Sequence, residues 1–278
     1  MDKIYKETQD LAKRHYENFP VISYFLPKRL RKPVALLYHF SRTADDIADE
    51  GNISDEERII KLHEFIDSFS NCLIGKYDND FWKALHSTIN KYNLTPKYFY
   101  DLLNAFEMDC KKKNFNNFDE ILYYCQHSAN PVGRIMLEFI NIRDEKTLKY
   151  SDNICTALQL TNFYQDISLD IPKDRIYIPL DELDKFDITV DKFKTKNFNE
   201  DLRLLMKFQL KRCSELFNEG KKILLLLPKN FRRQIKMTIL GGEEILKKIE
   251  SQNYNVTDYR PTLRKIDYIK IMIKSIFA

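Results

Sequence analysis

Two acidic stretches, far apart in the chain, carry the side chains best suited to chemistry. The first contains Asp45 and Asp49, and the second contains Asn162, Asp166 and Asp170. Residues four apart lie on one face of a helix, about 6 Å apart along its axis, so each stretch can present a row of oxygen ligands. Oxygen ligands without a His or Cys cluster suit Mg²⁺ rather than zinc. The spacing therefore predicts that these five residues bind Mg²⁺ together with a diphosphate, whose departure from carbon the ion would assist as a Lewis acid.

Both stretches lie in apolar sequence. Ile47 and Ala48 lie within the first, and residues 157–160 (Ala-Leu-Gln-Leu) precede the second. An acidic stretch is most often a solvated helix face, but these neighbours are typical of helices buried on several sides. Unpaired carboxylates are costly in such surroundings, so two facing metal-binding rows are preferred to two solvated faces.

Basic residues beside the two stretches have two interpretations. Arg42 lies three residues before Asp45 and can either neutralise it or bind diphosphate oxygens with its planar guanidinium. Lys173 and Arg175, just after the second stretch, have the same alternatives. Four aromatic residues could shield a carbocation with their π-faces or simply belong to the core: Phe19, Tyr38, Tyr124 and Phe163.

The composition limits the fold and the partners. Of 278 residues, 44% are hydrophobic and 31% charged, which is typical of a globular protein, and only six glycines favour an all-helical one. The net charge of +4 is spread along the chain without a focused basic stripe, so no nucleic-acid partner is expected. No Gly-rich dinucleotide motif or P-loop is present, so nothing indicates a nicotinamide cofactor.

The cellular compartment follows from cysteines and apolar runs. The five cysteines are odd in number and lack a C-x-x-C spacing, which fits a reducing cytosol. The N-terminus has no apolar run of the signal-peptide kind, and Ile223 to Leu227 is too short to span a bilayer. We therefore expect a cytoplasmic protein. The C-terminal helix, Tyr259 to Phe277, mixes Lys and Arg with Ile and Met; it can lie at the inner face of a membrane or pack its apolar side on the core.

Helical periodicity dominates the chain and predicts a single all-α domain over residues 1–278. Pro27 and Pro33 are expected to break the chain before the helix of the first stretch, and Ser54 with Glu57 forms a capping box. Residues 171–179 are predicted to be extended. The predicted helices are 2–18, 33–49, 54–73, 79–93, 95–112, 117–142, 144–170, 198–227, 228–250 and a last one from Arg260.

The motifs resemble those of the squalene/phytoene synthase family, from His15 to about residue 272. The D-x-x-x-D motif matches Asp45 to Asp49 and follows a Phe-Ser-Arg sequence at 40–42. The N-x-x-x-D-x-x-x-D motif matches residues 162–170, and R-I-Y-I-P at 175–179 is similar to the family's R-I-Y-L-P. The double motif in this order is highly specific.

A finer resemblance is to the hydroxysqualene synthases of bacterial hopanoid pathways. It rests on H-Y-E-N-F-P-V at 15–21, A-D-D-I-A-D-E at 44–50, S-A-N-P-V-G at 128–133 and N-F-Y-Q-D at 162–166. Many condensing relatives have different residues in the last two segments.

The resemblance implies an isoprenoid-synthase helical bundle around a deep central cavity. It implies that Mg²⁺ ionises presqualene diphosphate, and that the rearranged cation captures water to give hydroxysqualene without NADPH. Sister enzymes of the same pathway are the implied partners. The five motif residues would hold metal and diphosphate, and the other implied substrate-binding residues are His15, Asn18, Phe19, Tyr38, Arg42, Tyr124, Gln159 and Arg175.

Three other functions remain open. One is head-to-head condensation of two farnesyl diphosphates to presqualene diphosphate, squalene or a C30 carotenoid precursor. Another is a catalytically silent assembly or lipid-binding relative, which would be expected to have lost its aspartates, whereas all five motif positions are intact. A helical interaction protein would have its acidic faces on the surface and no need for magnesium.

Overall fold

The computed structural model describes residues 26–111, 114–195 and 198–276. The described residues divide into two compact units, those within 1–111 and 127–148 and those within 112–126 and 149–278. In the described residues the secondary structure is helical, apart from an isolated bridge between Asn114 and Ile176. The all-helical prediction is confirmed, while the single domain and the central cavity stay predictions.

The helices follow one another with short connections. In chain order they are α1 Lys28–Asp49, α2 Asp55–Leu73, α3 Asp80–Tyr92, α4 Pro96–Lys111, α5 Phe118–Ser128, α6 Asn130–Glu138, α7 Glu145–Gln165, α8 Ile167–Asp170, α9 Leu180–Lys185, α10 Val190–Lys194, α11 Glu200–Gly220, α12 Lys229–Ser251 and α13 Lys265–Ile276. Two short 3₁₀ turns, Ile171–Lys173 and Lys221–Leu225, follow α8 and α11.

Helix α1 is fixed in the first unit by an aromatic core. Phe40 is fully buried, and its ring centroid lies 5.1 Å from that of Phe69 and 5.3 Å from that of Phe99. Ala44 and Ala48 continue the same buried face at four-residue spacing. The acidic side chains of the first stretch therefore lie on an adjacent stripe of the helix, away from this core.

The prediction that Pro33 breaks the chain is wrong, because α1 begins at Lys28 and contains this proline. A proline inside a helix lacks the N–H that would bond to the carbonyl four residues earlier, here that of Arg29. The hydroxyl of Tyr92 lies 3.4 Å from this carbonyl and donates to it. The helix tolerates Pro33 because another donor serves the carbonyl that it leaves without its usual partner.

The other end of α1 is capped by the next helix. Arg58 of α2 donates from Nη1 to the carbonyl of Glu50 (2.9 Å) and from Nη2 to that of Gly51 (2.7 Å). The predicted capping box of α2 is confirmed, since Ser54 and Glu57 exchange side-chain-to-backbone hydrogen bonds. These contacts fix where the helix of the first acidic stretch ends.

Helix α7 carries Asn162, the first residue of the second acidic stretch, and is approached closely by two glycines. A Cβ atom at Gly220 would lie 2.6 Å from Cγ1 of Ile154, and one at Gly242 would lie 2.9 Å from Cδ2 of Leu158. The same atom at Gly242 would lie 2.6 Å from Cζ of Phe217. Only a residue without a side chain fits at these two places, so α11 and α12 reach the surface of α7.

Several predicted helices are shorter than expected. The predicted helix 117–142 is broken at Ala129, just before Pro131 in the first turn of α6, and 144–170 is broken at Asp166, which has no proline or glycine beside it. The α-helical part of 198–227 ends at Gly220, and the last helix begins at Lys265 rather than Arg260. The segment 171–179 begins with a 3₁₀ turn and is otherwise free of helix, and α9 and α10 were not predicted.

All five cysteines are free thiols. Cys72, Cys110, Cys125 and Cys213 are buried, and Cys155 is half-buried. Burial raises the pKa of Cys72 to about 11 and that of Cys213 to about 12, and it also raises the pKa values of Cys110 and Cys125. These four thiols behave as small core residues.

Candidate active site

Arg42 is the centre of the charge cluster on α1. Its Nη1 donates to Oδ2 of Asp45 (3.0 Å) and its Nη2 to Oε1 of Glu50 (2.6 Å). Nη2 also lies 2.5 Å from Oδ1 of Asp46, an ion pair without hydrogen-bond geometry. In this structure Arg42 therefore neutralises Asp45, which is one of the two roles the sequence left open; diphosphate binding stays a prediction.

The same cluster sets the protonation of its cationic and phenolic members. Burial alone would lower the pKa of Arg42, but the carboxylates of Asp45, Asp46 and Glu50 raise it above its usual value. The pKa of Tyr38 is raised by burial and by the two aspartates, against the opposing effect of Arg42. Arg42 therefore stays charged and Tyr38 stays a neutral phenol at physiological pH.

The second acidic stretch is divided by the break between α7 and α8. Asn162 lies in α7, Asp166 at the break, and Asp170 at the last residue of α8. The backbone N–H of Asp166 donates to the carbonyl of Asn162 (2.9 Å), and that of Asp170 to the carbonyl of Asp166 (2.9 Å). The helical four-residue spacing of the backbone is therefore kept on both sides of Asp166, although one continuous helix is not.

Asp166 has an arginine partner that the sequence did not reveal. Nε of Arg260 donates to Oδ1 of Asp166 over 2.5 Å, with both side chains about 30% exposed. Next to it, Nε2 of the buried Gln165 donates to the carbonyl of Pro261 over 2.6 Å. No spacing or motif could link residues 94 positions apart, so only the folded chain identifies Arg260 as part of this site.

Aromatic rings cover one side of the second stretch. The ring of Phe163 stacks on that of Tyr177 at 3.9 Å with an interplanar angle of 6°, and Tyr124 lies 5.9 Å from Phe163. Phe163 and Tyr124 are buried, as the core interpretation of these rings requires. A carbocation role for them stays a prediction.

Arg175 lies close to the last motif residue. Its backbone N–H donates to the carbonyl of Asp170 over 3.1 Å. Both residues line a cavity of about 10 Å³, which has room for a single water and not for a prenyl chain. Gln159 lies three residues before Asn162, the first residue of the second motif. It is half-buried on α7.

A buried polar network lies behind the second stretch. The hydroxyl of Tyr164 donates to Oε1 of Gln209 (2.8 Å), and Nε2 of Gln209 donates to Oε2 of Glu182 (2.5 Å). Arg212 pairs with both Glu182 oxygens, and its guanidinium lies 3.6 Å from the centre of the Phe118 ring. Burial raises the pKa of Tyr164 well above its usual value, so its hydroxyl remains a donor. Sequence reasoning missed this network, which ties α7 to α9 and α11.

The donors suit magnesium by chemical type. Asp45 and Asp49 belong to the first unit, and the other three motif residues belong to the second. Within the described ranges, no group of three or more His, Cys, Asp or Glu side chains is arranged to hold a metal ion. Carboxylate and amide oxygens in small sets are nevertheless what Mg²⁺ uses when a substrate phosphate supplies further ligands. The predicted site residues His15, Asn18 and Phe19 lie outside the described residues.

Comparisons with known proteins place these features in one family. Residues 12–267 match the family model of squalene/phytoene synthase. The hydroxysqualene synthase of Sinorhizobium fredii is 30% identical over 233 residues, which covers 82% of this chain and 77% of that protein. The corresponding enzyme of Rhodopseudomonas palustris is 30% identical over 227 residues, which covers 81% of this chain and 75% of that protein.

Two solved structures have the same fold. Squalene synthase HpnC from Alicyclobacillus acidocaldarius is 33% identical with a TM-score of 0.85 over 90% of this chain and 94% of its own. A dehydrosqualene synthase in complex with a ligand is 22% identical with a TM-score of 0.90 over 99% of this chain and 96% of its own. The chain therefore belongs to the squalene/phytoene synthase family, whose enzymes act on prenyl diphosphates.

Proposed function

We propose that this protein converts presqualene diphosphate into hydroxysqualene in a magnesium-dependent reaction. The observation that carries the proposal is the 30% identity to hydroxysqualene synthases over four fifths of the chain, together with the intact five-residue double motif. The subgroup-like segments at 128–133 and 162–166 support the same choice.

The reaction requires no reductant. The C–O bond between the cyclopropylcarbinyl carbon and the diphosphate breaks, and the bonding electrons leave with the diphosphate. The cation rearranges, a water oxygen bonds to it, and loss of a proton gives a neutral alcohol. Because no carbon is reduced by an external hydride, NADPH has no role in the proposed reaction.

The motif residues have the task of binding the leaving group. Asp45, Asp49, Asn162, Asp166 and Asp170 would hold Mg²⁺, which supplies Lewis-acid assistance to the departing diphosphate when bound. Arg42 is already charged and directed at carboxylates, so diphosphate oxygens that carry a similar charge can replace them as its partners. We assign Arg175 the same role, because its backbone N–H is hydrogen-bonded to the carbonyl of Asp170.

The aromatic residues have the task of protecting the cation. Phe163, Tyr177 and Tyr124 form an aromatic cluster beside the second motif, and a π-face attracts a cation without offering it a nucleophilic oxygen. We assign Tyr38, a neutral phenol at physiological pH, to the same apolar lining, with Gln159. His15, Asn18 and Phe19 complete the substrate-binding set implied by the family motif.

The decisive test is product analysis of the purified full chain with Mg²⁺ and without NADPH. Presqualene diphosphate and farnesyl diphosphate are offered separately, and the products are identified by mass spectrometry. A hydroxylated C30 alcohol from presqualene diphosphate alone is the expected result. Turnover of farnesyl diphosphate would replace the proposal by the condensing reaction, and silence with both would favour a non-catalytic relative.

We propose that the protein acts in the cytoplasm. None of the described helices is both long and apolar enough to cross a membrane. Sister enzymes that supply presqualene diphosphate or consume hydroxysqualene are the proposed functional partners.

A further inference from the structure

Helix α13 exposes most of its large apolar side chains to the solvent. The residues that point inward are Asp267, Ile271 and Ser275, which repeat every four positions. Five large apolar side chains are between 36% and 59% exposed: Ile266, Ile269, Met272, Ile273 and Ile276. At 100° per residue these five lie within an arc of about 120° centred opposite the buried face. A surface helix of a water-soluble protein normally has the reverse pattern.

Polar contacts on the inner face hold the helix in this orientation. The carboxylate of Asp267 accepts from Nζ of Lys248 (2.8 Å) and from the backbone N–H of Arg264 (2.8 Å). Near the other end, Nε of Arg233 donates to Oγ of Ser275 over 3.2 Å. Rotating the helix to bury its isoleucines would break both anchors, so the outward direction of the apolar face is built into the packing against α12.

The exposed face carries only positive charge. Lys265, Lys270 and Lys274 are exposed, and Asp267, the acid of this helix, is buried and paired. Lys270 and Lys274 lie along one border of the apolar arc, where long side chains can extend to a charged layer while their methylene groups stay on apolar surface. Apolar residues with lysines at their border are the pattern of a helix that lies in a membrane interface.

Two further exposed apolar residues lie near the N-terminal end of α12, where the C-terminal end of α13 also packs. Leu225 and Leu226, which are 81% and 42% exposed, come just before this helix. The side-chain hydrogen bond between Arg233 and Ser275 places the C-terminal end of α13 beside the first turns of α12. Elsewhere in the described residues, large exposed apolar side chains are spread over several helices, which is ordinary for a globular protein.

We infer that the exposed face of α13 is a docking surface for an anionic lipid bilayer. The apolar arc would enter the boundary between headgroups and acyl chains, and the lysines would meet the lipid phosphates. Charge complementarity favours a bilayer over a second copy of this chain. The exposed face of the helix has isoleucines and lysines but no exposed carboxylate. Two copies of this face would therefore bring lysines together without acidic groups to pair with them. The inference stands on the surface alone and does not depend on which prenyl diphosphate is the substrate.

The test is flotation of the full chain with vesicles of phosphatidylcholine, either pure or mixed with phosphatidylserine. We expect binding to the mixed vesicles that weakens at high salt, and much weaker binding to the pure ones. The double variant Ile269→Asp with Ile273→Asp should bind the mixed vesicles at least about tenfold less tightly, because charged groups are excluded from the acyl region. Lys270→Gln with Lys274→Gln should weaken binding to anionic vesicles about fivefold per charge.

The matched control is Ile60→Asp with Ile74→Asp. These isoleucines are also well exposed, at 58% and 67%, but lie on α2 or just after it in the first unit. The control double variant makes the same chemical change and should bind like the parent. Equal losses in both double variants would overturn the inference, as would failure of the parent chain to bind anionic vesicles. A parent dimer that dissociates only in the α13 variant, without vesicle binding, would also overturn it in favour of a second copy.

Discussion

At the scale of single residues, one motif aspartate in each acidic stretch is paired with an arginine. Arg42 binds Asp45, and Arg260 binds Asp166. These contacts lower the repulsion that a row of carboxylates would otherwise feel without metal. A metal ion that binds to either aspartate must therefore compete with a guanidinium or shift it to the phosphate oxygens.

The first prediction concerns the motif carboxylates. Asp45→Asn or Asp166→Asn should abolish turnover, because an amide is a poorer ligand for Mg²⁺ than a carboxylate. The fold should persist, since both side chains are partly exposed and neither belongs to the apolar core. Product formation and circular dichroism measure the two effects separately. The exposed Asp184→Asn is the control, and full activity in either motif variant would contradict the site assignment.

The second prediction concerns the partner of Asp166. The variant Arg260→Gln should bind Mg²⁺ alone, without any diphosphate, up to about thirtyfold more tightly, because a single positive charge about 4 Å from a divalent cation opposes it by about 2 kcal/mol in water-exposed surroundings. Isothermal titration of the substrate-free protein measures this affinity. Arg203→Gln, which breaks an exposed pair with Glu200, should leave it unchanged. Unchanged or weaker binding in the Arg260 variant would argue against competition at Asp166.

The residues of the site were predictable only where they are close in sequence. The spacing of Asp45, Asp49 and Arg42 reports their shared face because a helix has a fixed period. Arg260 reaches Asp166 through the folding of the second unit, and no local rule encodes that contact. The double role of Arg42 could not be resolved either, because both roles require the same charge at the same place.

At the scale of elements, helix ends were predictable where side chains mark them. The start of α2 follows from the capping box of Ser54, which satisfies backbone groups locally. The break at Ala129 does have a mark, because Pro131 lies in the first turn of α6, but the break at Asp166 has no proline or glycine beside it. The start of α1 was predicted too late because Pro33 is tolerated through a hydrogen bond from Tyr92, which is far away in sequence.

The third prediction compares two adjacent glycines of α12. Gly242→Ala should lower the free energy of unfolding by about 1–3 kcal/mol, because its Cβ would meet Phe217 and Leu158 at distances below contact. Gly241→Ala should be neutral or stabilise by up to about 1 kcal/mol, since its Cβ would meet Leu263 at 4.0 Å and alanine favours the helix. Chemical denaturation measures both. Similar effects at the two positions would mean that the close approach of α12 to α7 is wrong.

The fourth prediction concerns the anchor of α13. Burial alone would raise the pKa of Asp267, but hydrogen bonds from Lys248 and the Arg264 N–H bring it below its usual value of 3.8. A carboxylate with a depressed folded pKa stabilises the fold above its unfolded pKa, and this contribution is lost as the pH falls through the folded pKa. The melting temperature of Asp267→Asn should therefore lie below that of the parent by a constant amount above pH ~5, with the gap closing below pH 3.8. A gap that does not change with pH would contradict the ionic anchor.

At the scale of the whole molecule, the described residues of both units include a buried glutamate held by an arginine. In the first unit Glu138 pairs with Arg143 and accepts from Thr95, and in the second Glu182 pairs with Arg212. The helical class of the molecule was predictable from composition and periodicity. These two pairs were not: Glu182 and Arg212 lie 30 residues apart, and Glu138 and Arg143, although five apart, do not share a helix.

The fifth prediction tests the pair in the second unit. Arg212→Met should destabilise the protein by about 3–5 kcal/mol, because it leaves the Glu182 carboxylate buried without its cation. The double variant with Glu182→Leu should recover much of this loss, since no buried charge then remains. Urea denaturation at neutral pH measures both variants. If the double variant is no more stable than Arg212→Met, the loss is one of packing and not of charge.

The buried thiols have a practical consequence, because only a thiolate reacts readily with alkylating reagents. Cys72 and Cys110 in the first unit and Cys125 and Cys213 in the second are buried, with pKa values raised by that burial. Their modification must therefore wait for local opening of the surrounding helices. The rates at which the four sites acquire label, followed peptide by peptide, would report how often each unit opens, so the protein contains its own probes of local stability without any engineered residue.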